Sequence, residues 1–434
     1  MLPLQDDFQA FHWQIMYNIE EVKDNSTLKA FYAVQHLIYA NDENWVCPLD
    51  EEIEAIFDPK QNIFFQHGEA TRFIMKNTKG ELIGRCAAFI NRKKADKNEV
   101  PTGGMGFFEC INDQKAANAL IDAAKNWLAA RGMQAMDGPI NFSENDNFWG
   151  LLVEGFTQPA YGMPYNPPYY KTLFENYGFQ LFFEQISNEL YIVDGLPERF
   201  ANIAKRIYEK PEYEFRRATN DKLMDFARAF QEVYNDAWQF HENFTPITDE
   251  QIHRYVDKFK YIAIDAFLPF AYKKLEDNQL EAAGFIICLP DLNQIFKPLK
   301  GKFGWFQKML FLWRSRNQFE WYRNRGILTH GRVIIMGVKP KFQRYGMESG
   351  LIYSSVEKAR EMGFKSIELS WVGDFNPKMR ALHEGVGAKF ARKHVTYRVR
   401  FDGKPIQRST TIAVDTRDKL IKEREEAAKR ENKD

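Results

Sequence analysis

The chain has 434 residues and balances 59 basic against 59 acidic side chains, so its overall charge does not mark it as a nucleic-acid-binding protein. This length is enough for two or more domains with sizeable cores. Residues 1–14 lack the basic start and apolar centre of a secretory signal, and no apolar run is long enough to span a bilayer. We therefore expect a cytoplasmic protein.

The cysteines and aromatic residues indicate which kinds of site the protein can contain. The four cysteines are Cys47, Cys86, Cys110 and Cys288. They form no Cys-x-x-Cys pair and no histidine cluster accompanies them, which predicts reduced core thiols and no metal site. The aromatic content is 15%, with 37 Phe and 19 Tyr, and this excess suggests apolar clefts.

The first half of the chain predicts two helices and a hairpin, followed by alternating strands and helices. The helical patterns cover residues 27–39 and 49–57, and a turn containing Gly80 joins two hairpin strands at 70–77 and 81–90. The later elements are a strand at 106–111, a long amphipathic helix at 113–132, a strand at 134–141, an irregular stretch at 142–168, a helix at 169–177 and a strand at 184–193.

The same order of elements returns after residue 210. The predicted elements there are a strand at 213–218, helices at 221–238 and 249–259, hairpin strands at 267–273 and 280–288, a buried strand at 333–338, a helix that ends at Gly363, a strand at 366–372, a helix at 378–385 and a strand at 393–401. Elements that recur in this order indicate an internal duplication.

A short motif repeats together with the elements. It comprises Asn166, Pro167, Leu173, Glu175 and Gly178 in the first half, and Asn376, Pro377, Leu382, Glu384 and Gly387 in the second. Motif and element order together predict two related α/β (α+β) domains, at residues 1–195 and 205–408, each with a mixed central sheet flanked by helices. Residues 409–434 form a charged tail.

Residues 331–350 predict an anion-binding site. A buried strand ends at Lys339-Pro340, and a turn containing Arg344 and Gly346 leads into a helix. The first N–H groups of a helix point outward and its dipole is positive there, so this turn suits a phosphate group. Gly346 would let the backbone approach the ligand closely, and Arg344 would add a positive charge.

The pattern Val-x-Pro-x-x-Gln-Arg-x-Gly at 338–346, followed by the motif from Asn376, resembles the acyl-CoA-binding half of the GNAT (N-acetyltransferase) superfamily. The resemblance implies acetyl-CoA or a longer acyl-CoA as co-substrate, with no metal. The strand would pair with the pantetheine arm and the loop amides would hold the pyrophosphate. The implied cofactor-binding residues are Met336, Val338, Gln343, Arg344, Tyr345, Gly346, Met347 and Asn376.

Two residues depart from that family pattern. Glu348 stands where a small residue is usual, and its carboxylate would repel a pyrophosphate unless it points away. His383 stands where a tyrosine usually acts as general acid toward the departing thiolate. A histidine can also donate a proton, so His383 is a catalytic candidate, and the alternative is a histidine that only packs.

The first domain lacks the features that would hold a cofactor. Residues 110–115, where the second domain has its glycine turn, contain no glycine and an added acid, and Phe174 stands in place of His383. With the stretches 138–146 and 163–170, nearly the whole chain resembles a widespread bacterial family of uncharacterised tandem-GNAT proteins. The Asn, Ser and Pro residues of these stretches predict turns and caps, or a polar patch that lines a cleft.

A second candidate site lies at 234–244, where the GNAT superfamily forms its acceptor pocket. An amine must lose a proton before or during its attack on a thioester, so a base such as His241 or Glu242 is chemically required. An ordinary polar helix end explains these two residues equally well.

Residues 297–332 form a basic aromatic insertion with nine cations, one acid and eight aromatic rings. Rings at the acyl boundary and cations at anionic head groups are typical of interfacial helices, and would make the protein peripheral to the inner membrane. The alternatives are packing against the first domain, a lid over an acyl tunnel, and single-stranded nucleic acid, which the neutral net charge argues against.

These features together predict an acyl-CoA-dependent N-acyltransferase whose acceptor is a primary amine of unknown identity. The insertion favours a lipid-like amine met at a membrane surface. One alternative is a non-catalytic CoA-binding sensor or scaffold, which Glu348 and the missing tyrosine favour. Another is a peptidoglycan-bridge-type aminoacyl transferase, although residues 416–434 lack the apolar stripe of a helical arm.

Overall fold

The computed structural model describes residues 17–142, 147–239, 246–276, 279–343 and 345–409. They divide into two compact units. The first unit comprises the described part of Met1–Gln185, with Phe296–Phe303 and Arg392–Arg408. The second comprises the described part of Ile186–Ile295 and of Gly304–Ala391. The predicted segments 1–195 and 205–408 differ from these units at residues 186–195, 296–303 and 392–408.

The elements of the first half follow the predicted order closely. They are β1 (Tyr17–Glu21), α1 (Asn25–Ile38), α2 (Asp50–Phe57), β2 (Gly68–Asn77), β3 (Leu82–Asn91), α3 (Arg92–Ala95), β4 (Thr102–Cys110), α4 (Gln114–Ala129), β5 (Ala135–Gly138), β6 (Leu151–Glu154), α5 (Tyr170–Tyr177) and β7 (Gln180–Tyr191). The stretch expected to be irregular, 142–168, contains β6.

The second half continues with more helices than expected. Its elements are α6 (Glu198–Tyr208), β8 (Tyr213–Arg217), α7 (Leu223–Trp238), α8 (Asp249–Phe259), β9 (Pro269–Lys274), β10 (Leu280–Pro290), α9 (Asn293–Phe296), α10 (Trp305–Arg314), α11 (Arg316–Arg323), β11 (His330–Val338), α12 (Met347–Glu361), β12 (Ser366–Glu368), β13 (Val372–Gly373), α13 (Pro377–Gly385) and β14 (Lys389–Arg400). Within the described ranges, no helix is long and apolar enough to cross a membrane.

The strands of the first unit pair in the order β1-β2-β3-β4-β5-β14. The pairs from β1 to β4 are antiparallel, whereas β4 and β5 are parallel and are joined through α4. Successive residues of one strand serve opposite faces: Met75 lies in a core with Leu120 of α4, and Ile74 lies in a core with Phe31 of α1. The sheet is therefore covered by helices on both faces.

The second unit repeats this architecture with the order β8-β9-β10-β11-β12-β7. Its parallel pair is β11 and β12, which α12 connects. Phe270 packs in a core with α7, while the next residue, Ala271, packs in a core with Leu351 of α12. The predicted fold class, with mixed sheets flanked by helices, is confirmed.

Strand pairing explains where the units differ from the predicted domains. The end of β7 pairs with β12, since Tyr191, Leu190 and Glu189 lie opposite Ser366, Ile367 and Glu368. The end of β14 pairs with β5 of the first unit. Side-chain alternation predicted both strands but could not indicate their partners.

Candidate functional site

The parallel strands β11 and β12 pair only at their beginning. His330, Gly331 and Arg332 lie opposite Ser366, Ile367 and Glu368, and among the described residues no further pair of these two strands is formed. After Glu368 the chain turns to β7, where Leu369 N–H donates to Asn188 O over 2.8 Å. Strand β11 continues to Val338, so its edge beyond Arg332 is left for another extended chain.

The other edge of β11 is held by β10 along its length. Met336 lies opposite Ile286 and Val338 opposite Gly284. The register shifts between Ile287 and Cys288, where β11 carries one extra residue. A bulge of this kind bends a strand and increases its twist, which favours the separation of β11 from β12.

The turn after β11 has the predicted geometry. A single 3-10 turn, Pro340–Phe342, follows Lys339, and α12 begins after Gly346, whose φ is +77°. A side chain is rarely accommodated at that φ, and a Cβ on Gly346 would lie 3.1 Å from Ile207 Cγ1. The helix N-terminus is therefore reached through a conformation that favours glycine, as an anion site would require.

The other predicted cofactor-binding residues have different local roles. Gln343 donates from Nε2 to Val338 O over 2.9 Å and thereby closes the loop. Met347 is buried in the core, so its backbone N–H is what it can offer to a ligand, whereas Tyr345 is exposed. Asn376 caps α13 by accepting from Met379 N–H over 3.2 Å. Arg344 lies outside the described residues.

Two charged residues border this turn. Burial raises the pKa of Glu348, so its carboxyl ionises less readily than a free one. Burial lowers the pKa of Lys339, but hydrogen bonds to Glu232 and Glu281 outweigh that effect and raise it overall. The ammonium of Lys339 is thus paired with carboxylates of the protein, and its role is structural.

His383 is a buried residue of α13, with 4% of its surface exposed. Its Nδ1 lies 3.0 Å from Nδ2 of Asn188 on β7. Since an amide nitrogen only donates, Nδ1 accepts and the ring proton is on Nε2. Burial lowers the pKa of His383 to about 4, so at neutral pH the ring is an uncharged donor at Nε2.

This pKa makes His383 a source of acid sensitivity. As the pH falls from about 6.5 to about 4, the unfolded chain binds a proton that the folded protein does not, so stability is lost. We expect His383→Phe to remove this component, which is on the order of 2–3 kcal/mol at pH 4.5. Denaturant unfolding of both proteins at pH 7 and pH 4.5 measures it. Equal losses of stability in both proteins would contradict the assignment.

In the first unit, the end of β4 corresponds to the end of β11 in the second. Side chains of the first unit form hydrogen bonds with the backbone there. The Cys110 N–H donates to Tyr170 Oη over 2.9 Å, and Tyr169 Oη donates to Cys110 O over 2.7 Å. Asp113 caps α4 by accepting from the N–H groups of two residues in the first turn. Phe174 is buried against Phe108. These contacts leave little of this strand end for a ligand.

The polar residues of the first half have the bonds of turns and caps. Asn166 accepts from Leu152 N–H over 2.7 Å and donates back to Leu152 O over 3.1 Å, as a neighbouring strand would. Asn141 donates to Asn147 O over 3.2 Å. Residues 143–146 lie outside the described ranges. The contacts of Asn141 and Asn166 support the interpretation as turn residues.

His241 and Glu242, the candidate bases, also lie outside the described residues. The helix that leads toward them, α7, ends at Trp238, whose ring stacks on Tyr234 with centroids 4.8 Å apart. A Cβ on Gly337 would lie 2.5 Å from Trp238 Cζ3, so this aromatic pair lies directly against β11. Trp238 belongs to the stretch 234–244 that the sequence indicates as a site, whereas no local pattern indicates its contact with Gly337.

Asn188 is a site residue that the sequence did not indicate. It lies on β7, in a stretch assigned by sequence to the first domain, yet it contacts His383. Its neighbour Ser187 donates to Glu368 Oε1 over 2.8 Å, and both of these residues are buried. In the part of the chain that the structure describes, no group of three or more His, Cys, Asp or Glu side chains is arranged to hold a metal ion.

Comparisons with known proteins agree with this architecture, although no family model matches the chain. The bacterial ceramide synthase of Caulobacter vibrioides is 30% identical over 387 residues, which are 87% of this chain and 95% of that protein. Protein YghO of Escherichia coli is 25% identical over 393 residues, 86% of this chain and 93% of YghO.

A solved structure has the same fold. It is a tandem GNAT protein from the clavulanic acid biosynthesis pathway, with a TM-score of 0.51, 10% identity, and coverage of 90% of this chain and 100% of that one. This likeness confirms the predicted tandem GNAT fold. By its identity and coverage with the Caulobacter protein, the chain belongs to the family of the bacterial ceramide synthase.

Proposed function

We propose that this protein is an acyl-CoA-dependent N-acyltransferase that joins a fatty acyl group to the primary amine of a long-chain amino alcohol. The name of the Caulobacter relative supports the substrate class, since a ceramide is the amide of a fatty acid and such an amine. The observation that carries the proposal is the edge of β11 that β12 leaves open, next to a helix that begins at the left-handed Gly346.

Two parts of the acyl-CoA donor would contact the protein here. Its pantetheine arm carries amide groups and can lie beside β11 as an added strand, with main-chain hydrogen bonds from Val333 to Val338. Its pyrophosphate would meet the N–H groups at the start of α12, where the helix dipole favours a negative charge. A site formed by backbone groups needs few side chains as ligands, which fits the local bonds of Gln343 and Asn376.

The reaction would proceed by direct attack of the amine on the thioester carbon. The new C–N bond forms a tetrahedral intermediate, whose oxyanion a backbone N–H near Val338 would stabilise. The C–S bond then breaks and the sulfur leaves as CoA thiolate. The proton from the amine must pass to a base, for which His241 and Glu242 remain our candidates.

We assign to His383 the stabilisation of the departing thiolate. A ring that is neutral at pH 7 and protonated at Nε2 can donate a hydrogen bond to a developing negative charge. It would donate this hydrogen bond as a neutral ring and not as an imidazolium. A tyrosine hydroxyl is also a neutral donor, so the two side chains would do the same work.

Turnover with defined substrates tests the proposal. We expect long-chain acyl-CoA with a sphingoid base to give an amide and one free thiol per amide, measured by mass spectrometry and a thiol reagent. Ligand at about 100 times its Kd should add about 2.7 kcal/mol to the stability of the protein. Acyl-CoA that stabilises the protein without any turnover would instead favour the CoA-binding sensor. Turnover that requires aminoacyl-tRNA would favour the peptidoglycan-bridge type.

A further inference from the structure

Helix α10 exposes large apolar side chains along one side. Five of its ten residues are exposed apolar ones: Trp305, Phe306, Met309, Leu312 and Trp313. At 100° per residue they fall within an arc of about 120° on the helix surface. Trp305 is 77% exposed and Trp313 is 55% exposed, so neither tryptophan is buried in the fold. This apolar face of α10 is the largest such feature of a helix in the second unit as described.

The opposite side holds α10 to the second unit. Phe311 is buried and packs against Phe319, with ring centroids 5.8 Å apart. Residues 317–319 have φ values between +51° and +62°, which non-glycine residues rarely adopt, and this turn brings Phe319 back under the helix. Arg323 then ties the segment to α12 by donating to Met362 O over 2.8 Å. The apolar face of α10 is therefore presented by an anchored helix.

Cations are frequent in the segment that carries this face. Residues 304–326 contain five cations and one acid, Glu320. Lys308 lies at the edge of the apolar arc by helical position, and Arg316 and Arg325 are exposed. Arg314 and Arg325 stack on Trp321, with distances of 4.0 and 4.1 Å to the ring centroid. The segment that carries the apolar face therefore has a net positive charge, and Lys308 lies beside the face.

We propose that α10 lies in the plane of an anionic phospholipid membrane, with its apolar face among the acyl chains and the cations at the phosphates. Tryptophan rings favour the head-group boundary, and lysine and arginine beside them complement anionic lipids. An acidic protein partner would match the charge, but it would not need two exposed tryptophans and three other exposed large apolar side chains on one side of a helix. The role of docking in catalysis rests on the proposed function, because a long-chain amine partitions into bilayers.

Vesicle co-sedimentation tests the docking directly. We expect the full-length protein to bind anionic phosphatidylglycerol vesicles at 0.1 M salt, and to bind neutral phosphatidylcholine vesicles weakly. Binding should weaken at 1 M salt, since the screening length shortens from about 10 Å to about 3 Å. The change Trp305→Ser/Trp313→Ser should lower the affinity for vesicles about tenfold or more, because it removes two rings that would be buried in the membrane.

A matched control removes two exposed rings elsewhere in the second unit. Tyr191 and Tyr261 are 58% and 53% exposed and lie outside α10. Tyr191→Ser/Tyr261→Ser should bind vesicles as the unchanged protein does. Equal losses in both double variants, or no binding to anionic vesicles at low salt, would overturn the proposal. Concentration-dependent self-association that the tryptophan changes abolish, without vesicle binding, would assign the face to a second copy of the chain.

Turnover measurements separate this inference from the proposed function. With a short-chain amine and no vesicles, the double tryptophan variant should turn over as fast as the unchanged protein. With the long-chain amine in vesicles it should be slower. Vesicle binding without any acyl transfer would reject the function and keep the docking. Acyl transfer at equal rates in both proteins on vesicles would reject a role of the docking in catalysis and keep the function.

Discussion

Gly346→Asp is expected to abolish acyl-CoA binding while leaving the protein folded. The added carboxylate would stand at the start of α12, where the pyrophosphate is proposed to lie. Two unit charges 4 Å apart near a protein surface repel by about 4 kcal/mol, so we expect a loss of affinity of about 100-fold or more. Titration calorimetry with acyl-CoA measures the loss, and thermal unfolding checks the fold.

Two matched variants separate charge from backbone strain. Gly346→Asn has nearly the same shape, carries no charge, and asparagine tolerates a left-handed φ better than most residues. It should keep much more affinity than the aspartate variant. Gly363→Asp places the same charge at the other end of α12, at a φ of +87° with no atom within 4 Å of its Cβ. That variant should bind acyl-CoA normally.

The outcome also tests which unit holds the donor. Acyl-CoA that binds Gly346→Asp with full affinity would move the donor site away from α12. Equal losses in the asparagine and aspartate variants would indicate that shape, and not charge, matters at Gly346. The first unit is an unfavourable alternative, since Tyr169 and Tyr170 already bond the backbone of Cys110.

Much of the fold could be predicted because apolar and polar side chains alternate along its strands and because its turns contain glycine. The hairpin expected at 70–77 and 81–90 is observed as β2 (Gly68–Asn77) and β3 (Leu82–Asn91), with Gly80 at a φ of +81°. In residues 305–323 the composition suggested interfacial helices, but the bounds of the helices were not predicted, because aromatic and basic residues are interspersed there without a buried stripe. Only Phe311, Phe319 and Tyr322 of these helices are buried.

The candidate site could be predicted where the backbone conformation requires a particular residue type. Gly346 has the left-handed conformation that a glycine before a helix suggests. Polar side chains were less predictable, because an amide or a carboxylate can satisfy a neighbouring backbone group as readily as a ligand. Gln343 and Asn376 are examples, since both bond the chain itself. The bond between Asn188 and His383 joins residues 195 positions apart, and no local pattern indicates it.

His383→Phe is expected to slow turnover by about 10²–10⁴-fold while acyl-CoA binding changes little, if Nε2 stabilises the thiolate. Phenylalanine is a suitable replacement because Phe174 occupies the corresponding position of the first unit and is fully buried. Steady-state kinetics give the change in kcat, and calorimetry gives the change in acyl-CoA affinity. Unchanged turnover would leave His383 as a packing residue.

The pH dependence distinguishes a neutral donor from an imidazolium acid. With a pKa of about 4, His383 is uncharged from pH 5.5 upward, so it should cause no fall in kcat as the pH rises through 6 and 7. An imidazolium acid would lose activity about tenfold per pH unit above its pKa. A fall of that kind in the unchanged protein that is absent from His383→Phe would contradict the neutral assignment.

Asn188 supplies the last control, as a positioning residue that acts through the histidine. In Asn188→Asp a carboxylate would accept a hydrogen bond from Nδ1–H, which leaves Nε2 without its proton in the neutral ring and raises the pKa of His383. Turnover should fall because the thiolate would then face a lone pair. The pH profile should also shift, because kcat recovers below the raised pKa of His383, where the imidazolium again donates from Nε2. In Asn188→Asp/His383→Phe this shift should vanish. A structural role for Asn188 alone would lower stability in both variants without moving the pH profile.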